Sequence, residues 1–422
     1  MDFADSPAEA SFRTEATAFL SAHAPSVGIG SYTSGDDQME VFHRHVAWQK
    51  TCAEYGWGAI TWPAEFGGRG LGPIEQIIWN EESAKLGLGH SMLAVGIGMV
   101  GPTLIAWGSD EHKERYLGPL LRGEETWCQL FSEPGAGSDL AGLSTRAVRD
   151  EDSGDWIING QKTWSSGADH NDFGILIART DTTVPKHQGL TYFLVDMKTP
   201  GIEVRPLIEM TGESHFNETF LNDVRIPDAS RVGEVGGGWG VTQTTLLNER
   251  MHMSGLTSML EFDALLELVK ECHPNGAPPA VRDGVARVYT QLRSLELLNA
   301  RVVTKLGRGQ MPTAESSVMK LALARMLSDG ADVALQAMGP RALSREGYWQ
   351  NEFLFAPAWH IAGGTDEIQK NVCAERVLAR PRDPHDTRDV PFGDHSRGGG
   401  GSRIESRRRR DPANRRSKCP NP

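Results

Sequence analysis

Cysteine is scarce in this chain and badly placed for structure. Five residues, Cys52, Cys128, Cys272, Cys373 and Cys419, are scattered over 422 positions. An odd, dispersed set excludes a fully paired disulfide framework and offers no metal-ligand spacing, so a reducing, cytoplasmic setting is expected. No apolar run reaches the length of a bilayer span. The acidic, polar start carries no secretory-signal pattern, and there is no internal repeat. Basic residues are outnumbered, 43 Lys+Arg against 55 Asp+Glu. Residues 381–422 carry eleven Lys+Arg and six Asp+Glu, so the remainder of the chain holds a net −17. An acidic body argues against nucleic-acid binding. Hydrophobic content of 39% and charged content of 23% are those of a globular chain with a sizeable core.

What is present divides into three parts. Residues 1–125 read as helical. Ser6-Pro7-Ala8-Glu9 forms a capping box with proline at the first helical position. Phe12, Ala16, Phe19 and Leu20 follow at helical spacing. A second helix carries Phe42, Val46 and Cys52, and a Gly/Pro-broken loop spans 57–72. From about 126 to 238 the pattern is strand and hairpin, and Asn159-Gly160 is expected to turn a hairpin. Helical periodicity returns over 239–268, 279–306, 314–338 and 366–378. Beyond 381 the composition becomes rich in Pro, Gly and Arg, and this tail is expected to be disordered.

The most informative stretch is Phe131-Ser132-Glu133-Pro134-Gly135-Ala136-Gly137-Ser138-Asp139. An apolar strand ends there in a turn whose glycines let a ligand approach the backbone. Successive N–H groups in such a turn suit an anionic or carbonyl-rich group. A second block, Asn159-Gly160-Gln161-Lys162-Thr163-Trp164-Ser165-Ser166-Gly167-Ala168, follows in the same β-rich part. Together the two blocks resemble the flavin-binding signatures of the acyl-CoA dehydrogenase family, and the resemblance covers roughly residues 10–380.

The resemblance implies an α+β fold: an N-terminal helical domain (1–125), a middle β-barrel-like domain (126–238) and a C-terminal helical bundle (239–380), followed by the tail 381–422. It implies FAD as cofactor and an acyl-CoA as substrate, with hydrogens removed across the α and β carbons to give the 2-enoyl-CoA. Electron-transferring flavoprotein is the implied acceptor, and a homo- or hetero-oligomer (dimer or tetramer) the implied assembly. By the same resemblance Gln129, Phe131 and Ser132 lie along the flavin ring, and Trp164, Ser165 and Ser166 cover its other side. A Ser166 hydroxyl suits the ring nitrogen that gains charge as hydride arrives. Ser138 lies near the acyl-CoA.

The C-terminal signature reads Ile361-Ala362-Gly363-Gly364-Thr365-Asp366-Glu367-Ile368-Gln369. Many members place the catalytic glutamate where this chain has Gly363. Isovaleryl- and long-chain-type members instead carry the base on the first helix of the C-terminal domain, just before an arginine. Here that helix reads Leu246-Leu247-Asn248-Glu249-Arg250, which assigns the base to Glu249 and substrate contacts to Leu247, Arg250, Gly363 and Gly364. Thr365 and Glu367 match FAD-contacting positions. The family's Gln-x-x-Gly-Gly-x-Gly is reduced to Gln336 and Gly339. The Arg-x-x-Phe-Gly segment is missing, and 211–218 departs from the commoner form. These departures keep two other readings open: a catalytically weak, FAD-sharing partner subunit, and a flavin oxidase or monooxygenase on the same fold.

Overall fold

A computed structural model describes residues 5–26, 37–88, 91–254, 262–310, 314–344, 347–381 and 389–395. Ser6 caps the first helix as its sequence predicts. Its hydroxyl accepts from the Glu9 N–H, and the Glu9 carboxylate accepts from the Ser6 N–H. Among the described residues, the α-helices of the N-terminal part are α1 (Pro7–His23), α2 (Gln38–Glu54), α3 (Pro73–Ala84), α4 (Gly101–Trp107), α5 (Asp110–His112) and α6 (Gly118–Leu121). The apolar stripe of α1 packs Phe19 onto Trp57, which stacks on Trp79. Glu82 is buried there, and is held by Arg13 at 2.7 Å and Lys85 at 2.6 Å.

Eight strands follow: β1 (Trp127–Leu130), β2 (Arg146–Arg149), β3 (Trp156–Ser166), β4 (Phe173–Arg179), β5 (Leu190–Asp196), β6 (Ile202–Leu207), β7 (Phe216–Ile226) and β8 (Arg231–Val232). The sheet path is β6-β7-β3-β2-β4-β5-β8, with β1 parallel to β4. Strands β2 and β4 pair only at Arg146 and Arg179, so two half-sheets fold over a shared core. Alternation along β4 shows the layering. Leu176 and Ala178 face that inner core, whereas Ile175 and Ile177 face the surrounding helices. Burial on both sides explains why β4 and β5 are apolar almost throughout rather than alternating.

The hairpin expected at Asn159-Gly160 does not form. Strand β3 runs straight through it, with a bulge against β7 between Ile158 and Gly160. Glycine is needed there for proximity: a Cβ on Gly160 would sit 2.3 Å from the Thr145 hydroxyl. Asn159 instead clasps Asp223, donating to its carboxylate at 2.9 Å and accepting its N–H at 3.0 Å.

The C-terminal part contains α7 (Gly238–Ser254), α8 (Phe262–Cys272), α9 (Pro279–Gly307), α10 (Ala314–Met338), α11 (Tyr348–Ile361) and α12 (Asp366–Val372). The single helix expected over 239–268 is described as two, α7 and α8, and residues 255–261 lie outside the described residues. Helix α11 was not expected from the sequence. It packs on α10 and carries apolar residues around most of its circumference, with Pro357 inside it. The variant segment 211–218 meets α11. His215 is buried, with Nδ1 3.0 Å from Glu209 and Nε2 2.8 Å from Glu213, and its ring lies edge-on to Phe355.

Part of the expected disordered tail is ordered against the sheet. A last short helix, α13 (Phe392–His395), follows a bridge between Pro391 and Pro185. The Phe392 N–H donates to the Val184 carbonyl, and its ring covers the Arg179 guanidinium at 3.6 Å. Residues 382–388 and 396–422 lie outside the described residues.

Candidate active site

The first signature turn is locked to the second block by buried charge. Lys162 is fully buried on β3, and its ammonium donates to the Phe131 carbonyl (3.0 Å), the Ile177 carbonyl (2.9 Å) and Glu133 (3.0 Å). Glu133 also accepts the N–H groups of Ser144 at 2.6 Å and Thr145 at 2.8 Å. Burial would raise the Glu133 carboxyl, but Lys162 and these donors outweigh it and hold it below the usual range. Burial draws Lys162 down to about 8 against the pull of Glu133, which leaves it a cation at neutral pH. Three acceptors around one ammonium match its three N–H donors.

This clamp holds the turn after β1 against the part of β3 that leads into Trp164, Ser165 and Ser166. The Thr163 N–H donates to the Ser132 carbonyl at 2.9 Å, which joins the end of β1 to β3. Between Lys162 and Ser165 the pairing of β3 with β7 slips, and Trp164 takes φ 60. A tryptophan pays for this left-handed backbone, and the bulge turns its indole outward, 59% exposed and edge-on to Phe216. Phe131 is buried, while Gln129, Ser132 and Ser166 are half-buried. Ser138 is exposed in the turn, beside the ion pair that joins Asp139 to Lys186 at 2.8 Å.

A second cluster lies in the C-terminal part. Gly363 and Gly364 link α11 to α12 with φ 65 and 87, both left-handed. The Gly363 carbonyl accepts from the Gln369 amide at 2.8 Å. Among the described residues, no protein acceptor meets the Gly363 N–H. Gly364 has no room for a side chain, since a Cβ would lie 2.8 Å from the same amide. Thr365 caps α12 by accepting the Ile368 N–H, and Glu367 is exposed in the first turn.

Helix α7 is pinned where the three parts of the chain meet. The Thr245 hydroxyl lies 3.0 Å from Thr103 on α4 and 3.2 Å from Tyr192 on β5. Glu249 is one turn further along the face that bears Thr245 and is half-buried, while Leu247 is exposed. The Arg250 side chain lies outside the described residues. Helices α7 and α12 both pack on α10. Gln336 stands apart from both clusters: it is exposed near the end of α10, and its amide donates to Asp332 on the same helix. Gly339 follows it with φ 57.

Sequence reading gave no role to Lys162, Glu133, Lys320, His360 or Ser328. A lysine inside an apolar strand block and a glutamate inside a glycine turn were the available signals for the first pair. The other three meet only in the folded chain.

Family models match this chain over nearly its whole described length. The acyl-CoA dehydrogenase N-terminal domain matches residues 6–124, the middle domain 128–224 and the C-terminal domain 236–378. The chain belongs to the acyl-CoA dehydrogenase family. It is 42% identical to the acyl-CoA dehydrogenase FadE34 of Mycobacterium tuberculosis over 79% of this chain, and spans 46% of that protein's length. Among solved structures, the Tcur3481-Tcur3483 steroid ACAD matches at a TM-score of 0.76 and 28% identity, over 91% of this chain and 100% of that one. The ChsE4-ChsE5 complex from Mycobacterium tuberculosis matches at 0.74 and 27%, with the same coverage.

FAD is the cofactor of acyl-CoA dehydrogenases, and the residues of the first cluster fit it. An outward indole beside half-buried amide and hydroxyl groups suits a flat, polar heteroaromatic ring. Open space surrounds Gly135 and Gly137, where an added Cβ would meet nothing within 4 Å. The Ser165 hydroxyl is buried without a hydrogen-bond partner among the described residues. Among those residues, no group of His, Cys, Asp and Glu could hold a metal ion, and no helix is long and apolar enough to cross a membrane.

Proposed function

We propose that this chain oxidises an acyl-CoA thioester to the 2-enoyl-CoA, with Glu249 taking the α proton. The observation that carries this reading is the backbone of Gly363. Its carbonyl is engaged by Gln369, its conformation is left-handed, and among the described residues no acceptor meets its N–H. Removing a proton beside a thioester places charge on the carbonyl oxygen, and a fixed N–H there stabilises that charge. Glycine at 363 supplies the donor without the side chain, and the base then comes from α7. An acyl chain closing over Glu249 strips water from the carboxylate and makes it a stronger base.

Gln129, Phe131, Ser132, Trp164, Ser165 and Ser166 would hold the flavin ring. Thr365 and Glu367 would contact FAD further along, and Gln336 and Gly339 its adenosine end. When bound, FAD supplies the acceptor for the β hydrogen. Ser138, Leu247, Arg250 and Gly364 would line the acyl-CoA. Exposure of Gln336 suits a cofactor completed by another subunit, and the two-component names of the similar structures support assembly with itself or with a related chain. Electron-transferring flavoprotein is the proposed acceptor. Among the described residues, Cys52, Cys128, Cys272 and Cys373 are free, which suits a cytoplasmic setting.

Glu249→Gln tests the reading. The amide is nearly isosteric yet accepts no proton, so FAD and acyl-CoA binding should persist. Flavin reduction in stopped flow should slow by roughly 10²–10⁴-fold, the usual worth of a general base. Reduction at the normal rate would make Glu249 a surface residue.

A further inference from the structure

We propose that Lys320, Asp366, His360 and Ser328 form a positioning chain that fixes the 363–365 loop and thereby aims the Gly363 N–H. This rests on the reading that the N–H serves the thioester oxygen.

Lys320 projects from α10 and is nearly buried. Its ammonium donates to the His360 carbonyl and to the Asp366 carboxylate, each at 3.1 Å. One cation therefore grips the last turn of α11 and the first residue of α12, the two ends of the loop. The second Asp366 oxygen lies 2.7 Å from His360 Nδ1, and His360 Nε2 lies 2.9 Å from the Ser328 hydroxyl. A carboxylate facing Nδ1 places a proton on that nitrogen. The chain starts and ends on α10 and spans both ends of the loop. Burial would raise the Asp366 carboxyl, but His360 and Lys320 prevail and hold it below its usual range, so it is ionised at neutral pH.

Ser328, His360 and Asp366 stand in the order of a hydrolytic triad, but the serine sits within the regular turns of α10. The backbone N–H groups around it are spent on the helix, so no oxyanion site adjoins its hydroxyl. The chain therefore orients the loop rather than attacking a substrate. It complements the Gln369 amide, which holds the Gly363 carbonyl from the other end. Neither contact leaves the loop free to rotate its peptides, and rotation of one peptide would remove the donor from the thioester oxygen.

The test compares Lys320→Met and Asp366→Asn with the wild-type flavoprotein. The probe is whichever member of a panel of short, branched, long-chain and steroid-derived acyl-CoAs reduces the wild-type flavin fastest. Misplaced donors lower the rate of the chemical step more than they weaken binding, so kcat should fall about tenfold or more while KM stays within about threefold. Hydrogen exchange read by mass spectrometry over residues 361–369 should speed up, with the sheet unchanged. His360→Asn, whose amide can still donate to Asp366, should recover more of kcat than His360→Leu. The His360 pair also decides the matter if Lys320→Met does not fold. Unchanged exchange and unchanged kcat in the folded variants would overturn the proposal. So would exchange that rises equally throughout the chain. If these variants behave as wild type while Glu249→Gln is inactive, the positioning role fails and the base assignment stands. If Glu249→Gln is fully active, the base assignment fails, and local exchange still decides the positioning role.

Discussion

The turn after β1 and the loop before α12 are both short glycine-rich connections, yet they are held in different ways. Glu133 and Lys162 are almost wholly out of water, with side chains 8% and 0% exposed. Around the second loop, His360 keeps 34% of its side-chain surface and Asp366 keeps 19%. A desolvated pair with every donor and acceptor satisfied is costly to disturb, because either partner left alone is a buried, unmatched charge. A network reached by water loses less when broken, because solvent replaces what is removed. The turn after β1 is thus held by a pair that solvent cannot replace, and the loop before α12 by a network whose outer members solvent can partly replace.

Lys162→Met should show the largest effect. It leaves Glu133 buried without its cation, which costs roughly 3–5 kcal/mol. Denaturant unfolding should show this loss together with weaker FAD retention. Lys162→Met combined with Glu133→Gln should recover part of the stability, because the stranded charge is gone. Lys320→Met should cost clearly less than Lys162→Met. Equal losses at the two lysines would remove the contrast.

Gly160→Val comes next. The Cβ it adds is placed 2.3 Å from the Thr145 hydroxyl, whose own backbone is tied to Glu133. Overpacking of this kind costs about 1–3 kcal/mol. The strain would be felt first in the turn, so FAD should dissociate more readily while the C-terminal helices keep their exchange protection. A Gly160→Val protein as stable as wild type would mean that the bulge has slack.

Acid sharpens the same comparison. Glu82, Glu133 and Asp366 all have carboxyls depressed in the folded chain. In each, burial opposes the shift and cationic or hydrogen-bonding partners outweigh it. A depressed folded value contributes stability that is present above the unfolded value and is lost as pH falls through the folded one. Stability should therefore decline from about pH 4.5 downward. Glu133→Gln and Asp366→Asn should each flatten that decline, because each removes a carboxyl whose folded value is depressed. A decline as steep as wild type in both variants would contradict the assignment.

The sequence showed much of this, and physics explains the rest. The capping box at Ser6 and the apolar spacing of α1 are local, and they folded as read. Asn159-Gly160 was misread because its glycine answers to Thr145 across the sheet rather than to a turn, and nothing in the dipeptide distinguishes the two. Helix α11 escaped notice because apolar residues ring it, so it has no amphipathic stripe to recognise. The signature blocks could name the residues proposed for the flavin side, since those residues are contiguous in the chain. The chain from Lys320 to Asp366 was illegible because three helices must meet before those side chains touch.

The smallest expected effect concerns the last described segment. The Arg179 guanidinium donates to the carbonyls of Ala141, Leu143 and Lys186, and so ties the chain just after the signature turn to the loop before β5. The Phe392 ring covers the open face of that cation, and backbone bonds from Phe392 and Gly393 to Val184 and Thr182 hold the ring in place. A cation under an aromatic face and partly shielded from water gains roughly 0.5–2 kcal/mol. Phe392→Ala should lower stability by about that amount, and Phe392→Trp should retain it. Ending the chain after His395 should leave this term intact, whereas ending it before Asp389 should lose it together with the two backbone bonds. Stability should therefore differ between the two truncations by at least the Phe392→Ala loss. If the truncations unfold together, Phe392 does not bind Arg179 in solution, and the turn near Ser138 depends on Arg179 alone.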